Sequence, residues 1–246
     1  MQTEAVILEK AFTLGLGTLD LTDPGPGDVV VDMHWSGISS GTEKLLWNGE
    51  MPWFPGLSYP LVPGYEGVGT VIEAGPDSNL EAGETVFVPG ATCYRDAAGL
   101  FGASSRRVVV PAARVTRVSD ELGAQAILLS LAATARHALA GSEPGGSVLI
   151  VGHGVVGRLL ARLLIADGHP PPTVWEQSAQ RMVGAHGYSV TTAEASPEAT
   201  YETIIDASGD GGLLDTLVGR LVKGGEIILA GFYAQPLSFS FAPAFM

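Results

Sequence analysis

Val148-Leu149-Ile150-Val151-Gly152-His153-Gly154-Val155-Val156-Gly157 decides the fold of this chain. Four apolar residues read as a fully buried strand, run directly into Gly-x-Gly-x-x-Gly, and continue through Val155 to Ala166 with a helical apolar period. Gly152 permits the tight turn, Gly154 lets the backbone approach a pyrophosphate, and Gly157 lets the helix close on the strand. The helix N-terminus offers unpaired N–H groups to that anion. His153, Val155 and Val156 fill the loop, where the backbone of His153 is expected to matter more than its ring. A following strand, Thr173 to Trp175, leads into Glu176. An acid about twenty residues past the glycines accepts ribose hydroxyls and repels a 2′-phosphate, which predicts NAD rather than NADP. Arg181, a little further on, is the residue that keeps NADP open. Asp206-Ala207-Ser208-Gly209 follows another buried-looking run, so Ala207 and Ser208 are expected at the carboxyl edge of the sheet, where such folds bind ligands. A plain strand-to-helix turn is the alternative there.

Outward from this motif, strand and helix patterns alternate: a strand over 203–205, a helix over 213–222 and a strand over 227–230. Alternation of that kind predicts a parallel sheet with crossover helices, a doubly wound α/β domain. Towards the N-terminus the text changes to short strands over 5–8, 28–33, 67–73, 85–88 and 107–110, separated by Gly- and Pro-rich turns, which predicts a β-barrel-like domain. Ser119-Asp120-Glu121 reads as a helix start, followed by a helical period through Ile127, Leu131, Ala135 and Leu139. Two domains are therefore expected, 1–118 and 119–246.

Composition narrows the function. The 246 residues carry 13 basic against 26 acidic side chains, a net charge of −13, which argues against nucleic acid as partner. The single cysteine, Cys93, can build neither a disulfide framework nor a thiolate cluster within one chain, so a cytoplasmic setting is expected. Cys93 itself reads as structural, having no Lys, Arg or His immediately beside it. No basic and apolar leader and no long uncharged apolar stretch is seen, so neither export nor a membrane span is expected.

Two passages carry a family resemblance: Trp35-Ser36-Gly37-Ile38-Ser39-Ser40-Gly41-Thr42-Glu43, and Pro60-Leu61-Val62-Pro63-Gly64-Tyr65-Glu66-Gly67-Val68-Gly69-Thr70-Val71. With the glycine motif they resemble the medium-chain dehydrogenase/reductase superfamily, over nearly the whole chain. That resemblance implies an α/β architecture of a GroES-like β-barrel followed by a Rossmann sheet, with NAD as cofactor. Zinc members place three ligands where this chain has Ser39, Tyr65 and, less directly aligned, Ser130; hydroxyls do not make a thiolate/imidazole zinc site, so no metal is expected. The runs Met51-Pro52-Trp53-Phe54-Pro55-Gly56-Leu57-Ser58-Tyr59 and Phe87-Val88-Pro89-Gly90-Ala91-Thr92-Cys93-Tyr94 are similar to one zinc-free branch of the superfamily. That branch oxidises the 1-hydroxyethyl side chain of a (bacterio)chlorophyllide in bacteriochlorophyll biosynthesis, which implies a tetrapyrrole substrate. The superfamily also implies a homodimer and a chain continuing past Met246, so the Rossmann sheet is expected to be C-terminally incomplete.

An alcohol oxidation needs a hydride acceptor and somewhere for the hydroxyl proton to go. By analogy with the zinc members, Ser40 or Thr42 is the relay candidate. Tyr65 stands in the place of an inward-pointing ligand, and Glu66 is a candidate buried carboxylate with a raised pKa or, alternatively, a structural partner. Glu43 and Lys44 read as a solvated surface pair. Trp47, Trp53, Phe54 and Tyr59 belong to an aromatic concentration suited to a flat macrocycle, or else to core packing. Two other readings stay open: a zinc-free quinone or enoyl reductase using NADPH, and a non-catalytic pigment- or nucleotide-binding fragment.

Overall fold

The computed structural model describes residues 1–99, 101–142, 146–195, 197, 199–233 and 235–246. They form two compact units, Met1–Ser130 and Leu131–Met246.

In the first unit β1 (Gln2–Lys10) and β2 (Thr13–Asp20) make an antiparallel hairpin. β3 (Asp28–Ser36), β4 (Gly67–Ala74), β5 (Thr85–Val88), β6 (Arg107–Pro111) and β7 (Thr116–Arg117) form an antiparallel sheet in the order β6-β3-β4-β5-β7. Val29, Val30 and Val31 of β3 and Val108, Val109 and Val110 of β6 are buried together with Ala5, Ile7 and Leu19 of the hairpin, so hairpin and sheet enclose one core. Cys93 lies in that core, where burial pushes its thiol pKa up, as suits a structural residue. β2 escapes a reading by apolar alternation because its Leu14 and Leu16 are exposed; it exists through its pairing with β1. Between β3 and β4 a short helix, α1 (Thr42–Asn48), is anchored by buried Leu45 and Leu46 and ends at Gly49 in a left-handed conformation. Leu46 shares a small second core with Leu8 and Leu61.

Ser119 is indeed a cap, its hydroxyl accepting the Glu121 N–H, but the segment it opens is 3-10 in character over Asp120–Leu128 and breaks at Gly123. α2 (Leu129–Ala140) follows. Ala126 packs with Val68 and Phe87 of the first unit, whereas Ala135 and Leu139 belong to the second unit's core.

The second unit is a parallel sheet of β8 (Val148–Val151), β9 (Thr173–Trp175), β10 (Ser189–Thr191), β11 (Tyr201–Asp206) and β12 (Leu221–Leu229), in the order β10-β9-β8-β11-β12. The chain leaves β8 towards β9 on one side and later returns to β11 on the other. β8 therefore ends at the point where the strand order reverses, where such folds bind ligands. α3 (Val155–Ala166) covers one face, with Leu160, Ala161 and Leu164 packed on Ile150, Val174 and Ile205. α4 (Leu214–Val218) contributes Leu217 to the other, against Leu149, Trp175 and Ile204. The helix expected over 213–222 is thus shorter: it stops at Gly219, and Leu221 and Val222 open β12, with Leu221 pairing Tyr201. α5 (Phe241–Phe245) is exposed. Among the described residues no helix is long and apolar enough to cross a membrane.

Candidate active site

Between β8 and α3 the glycine loop has the features an anion needs. Gly152 takes φ 96°, in the left-handed region that favours glycine, and a Cβ on Gly157 would stand 1.9 Å from the Gly152 carbonyl oxygen. At the N-cap, Gly154 brings no capping side chain, and a Cβ there would meet nothing within 4 Å. The first turn of α3, with Val155 and Val156, is left open to a ligand. Gly152 also lies against the next loop: its Cβ would come within 3.2 Å of the Ala207 carbonyl and the Ser208 Cα.

Glu176 is buried directly beside this loop. One carboxylate oxygen accepts the His153 N–H at 3.0 Å; the other accepts the Ser178 N–H at 2.8 Å and the Arg181 guanidinium at 3.1 Å. Burial opposes its ionisation, but these donors outweigh it and hold the carboxyl below its ordinary range. Arg181 is accordingly engaged with Glu176. The His153 ring does more than the sequence suggested. It is fully buried, with Nδ1 2.6 Å from the Arg181 carbonyl, so Nδ1 carries the proton, and Nε2 accepts the Tyr188 hydroxyl at 2.8 Å. Burial pushes its pKa down, keeping the ring neutral. Arg158 closes the same network, donating to the carbonyls of His153, Arg181 and Val183.

The 206–209 turn is also more than a plain connection. Buried Asp206 accepts the Ser208 N–H at 2.9 Å and its hydroxyl at 2.6 Å on one oxygen, and the Tyr233 hydroxyl at 2.8 Å on the other. The backbone facing Gly152 is thereby pinned. Nothing in the local sequence around Tyr188 or Tyr233 announced these partners, which depend on tertiary closure.

In the first unit the hydroxyl residues converge. Thr42 Oγ1 and the Tyr65 hydroxyl oxygen are 3.4 Å apart, and Ser39 Oγ accepts the Thr42 N–H at 3.3 Å. Burial raises the Tyr65 pKa; the hydroxyls of Ser39 and Thr42 act against this, and Glu43 and Glu66 add to it. Phe101 tilts against the Tyr65 ring with centroids 5.1 Å apart. Ser40 is exposed. Glu66 is 4% exposed, its Oε1 has no hydrogen-bond partner among the described residues, and burial raises its pKa. Glu43 is the correction here. It is half-buried rather than solvated, its Oε2 accepts the Ser39 N–H at 2.7 Å, and burial, more than the neighbouring Glu66, raises its pKa to about 7. The bond runs from the first turn of α1 back past its N-cap, Gly41, to the Ser39 N–H. Zinc does not fit this set: Ser39 and Tyr65 offer neutral hydroxyls, and among the described residues no three His, Cys, Asp or Glu side chains are grouped to hold a metal ion.

The aromatic residues divide. Trp47 meets Phe12 edge-to-face at 5.9 Å, and the Tyr59 hydroxyl donates to the Leu46 carbonyl, so both brace α1. Trp53 is 79% exposed and Phe54 half-buried.

Residues 25–120 match the alcohol dehydrogenase GroES-like domain family. The chain is 55% identical to 2-desacetyl-2-hydroxyethyl bacteriochlorophyllide A dehydrogenase of Rhodobacter capsulatus, and 55% identical to the protein of that name from Cereibacter sphaeroides; each alignment covers 100% of this chain and 79% of the relative. The chain belongs to the 2-desacetyl-2-hydroxyethyl bacteriochlorophyllide A dehydrogenase family. Among solved structures, 2R,3R-butanediol dehydrogenase from Bacillus subtilis shares the fold, with a TM-score of 0.83, 21% identity, and coverage of 98% of this chain and 80% of that one. Within this dehydrogenase family, then, the chain joins a GroES-like domain to a Rossmann sheet.

Proposed function

We propose that the chain oxidises the 3-(1-hydroxyethyl) group of a bacteriochlorophyllide a-type tetrapyrrole to acetyl, in the cytoplasm, with NAD as hydride acceptor. The observation that carries this reading is identity of 55% across the whole chain with two relatives named for that dehydrogenation. NAD, when bound, supplies the electrophilic ring that takes the hydride. The residues of the glycine loop fit its pyrophosphate, with Gly152 to Gly157 and the open N-terminus of α3 holding the anion. Glu176 sits where the adenosine ribose belongs, and its ionised carboxylate favours NAD by repelling a 2′-phosphate. Ala207 and Ser208, fixed by Asp206, form the neighbouring wall.

Tyr65 and Thr42 are the groups that hydrogen-bond the carbinol oxygen and carry its proton, with Ser39 and Ser40 as neighbouring donors and Glu66 as a buried acid behind them. Trp53 and Phe54 offer an apolar face to the macrocycle, and Trp47 and Tyr59 hold α1 in place beneath the relay. A zinc-free reductase using NADPH would suit the same hydroxyl cluster, but Glu176 opposes it.

The test is the absorption spectrum of the protein mixed with 3-hydroxyethyl bacteriochlorophyllide a and either NAD or NADP. A red shift from the newly conjugated acetyl, with stoichiometric NADH, is expected with NAD. Turnover with NADP alone would overturn the cofactor assignment, and no turnover with either would overturn the pigment assignment.

A further inference from the structure

Among the described residues, the cluster around Tyr65 contains two carboxyl groups and no opposing cation. The titratable groups bearing on Tyr65 are Glu43 and Glu66, and the one bearing on Glu43 is Glu66. Neither acid is in an ion pair among the described residues. Glu66 is more than nine-tenths buried, its Oε1 has no partner among the described residues, and its Oε2 crowds Gly37, where a Cβ would come within 2.1 Å. An isolated buried carboxylate of that kind is so costly that it holds its proton instead. Glu43 differs. It is only half-buried, and a backbone N–H, that of Ser39, points at its carboxylate. It also directly follows Thr42, whose hydroxyl stands beside that of Tyr65.

We propose that Glu43 and Glu66 hold one proton between them, resident on Glu66, and that Glu43 is the base on which the substrate's hydroxyl proton ends after passing the Tyr65 and Thr42 hydroxyls. The proposal rests on the alcohol oxidation proposed above. The step balances. The carbinol O–H breaks and a carboxyl O–H forms on Glu43; the C–H electron pair leaves as hydride to the oxidised nicotinamide, and the C=O bond forms. The relay hydroxyls each gain one proton and lose one. Burial poises Glu43 to titrate near neutrality, where a general base is most effective. This pair thus supplies by carboxylate chemistry the proton-accepting function that a metal supplies by acidifying an alcohol.

The experiment has two arms. In the first, side-chain carboxyl signals of 13C-Glu-labelled protein are followed against pH without cofactor or substrate, and assigned from Glu43→Gln and Glu66→Gln spectra. One carboxyl is expected to titrate near neutral pH and to vanish in Glu43→Gln, while a second remains protonated there and vanishes in Glu66→Gln. If the Glu43 signal titrates in the ordinary carboxylate range, the proposal is overturned, whether or not the variants fold. In the second arm, hydride transfer is followed in single turnovers across pH. Glu43→Gln should lower the rate by about 100-fold or more and erase the acidic limb of the profile, with NAD affinity unchanged and Glu43→Asp restoring the limb. A Glu43→Gln protein that keeps the wild-type profile would refute the proposed base. Absence of turnover in the wild-type chain would instead count against the alcohol oxidation itself, leaving the titration to decide the state of the carboxyl pair.

Discussion

Glu43 illustrates how a residue adapted to chemistry weakens the fold that holds it. Its folded-state pKa, about 7, lies above the ordinary 4.5. Between those values the folded chain binds a proton that the unfolded chain does not, so stability falls as pH rises through that window. Glu43→Gln, which fixes the neutral form, is expected to melt higher than wild type at about pH 8 and to lose the wild-type decline between about pH 5 and 7. Thermal melts across pH check this. His153 and Glu176 have the opposite sign, since both have folded pKa values below the ordinary ones. As pH falls through about 6.5, unfolded His153 takes a proton that the buried ring refuses, and through about 4.5 unfolded Glu176 does the same. The second unit should therefore lose stability in two stages on acidification, and His153→Gln should remove the first, as read by urea unfolding. Gly157→Ala tests the loop itself. Its Cβ would collide with the Gly152 carbonyl, so α3 must back away from β8 and NAD affinity, measured by calorimetry, is expected to fall tenfold or more.

At the scale of elements, legibility followed burial. β8 and β11 are covered on both faces, so their apolar runs read directly as parallel strands: Leu149 and Ile204 face one core while Ile150 and Ile205 face the other. Ile205→Ala is accordingly expected to cost roughly 2–5 kcal/mol by chemical denaturation. Where the deciding contact is remote, the reading stopped. β2 owes its existence to β1, and the turn from α4 into β12 is set by Gly219 and by Leu221 reaching Tyr201. The candidate site divides in the same way. The glycine loop is a local code in which each position has its own steric reason, and Glu176 follows from its place at the end of β9. Tyr65 and Thr42 were singled out through the family resemblance alone, and the structure sets their hydroxyl oxygens 3.4 Å apart. Glu43 was missed because its half-burial comes from the cluster that Tyr65 and Glu66 build around it, and local text gives the acid and the neighbouring Lys44 without saying which of them turns inward. Tyr188 and Tyr233 lay out of reach for the same reason, being partners by closure.

For the whole molecule, charge decides how a substrate arrives. A net charge of −13 surrounds the site with a negative field, and both NAD and the carboxylate-bearing pigment proposed as substrate are anions. Like-charged association is slowed by the summed potential, and salt relieves it: the screening length falls from about 30 Å at 0.01 M to about 8 Å at 0.15 M ionic strength. The apparent KM for the pigment should therefore fall, by about twofold or more, as salt is raised over that range, while kcat stays constant because the hydride step takes place between groups already in contact. Esterifying the pigment's carboxylate should flatten that dependence without changing the absorption shift of the product. A KM that instead rises with salt would mean that a local cationic patch overrides the global field, and would direct attention to exposed Arg106, whose side chain makes a solvent-facing pair with Glu4.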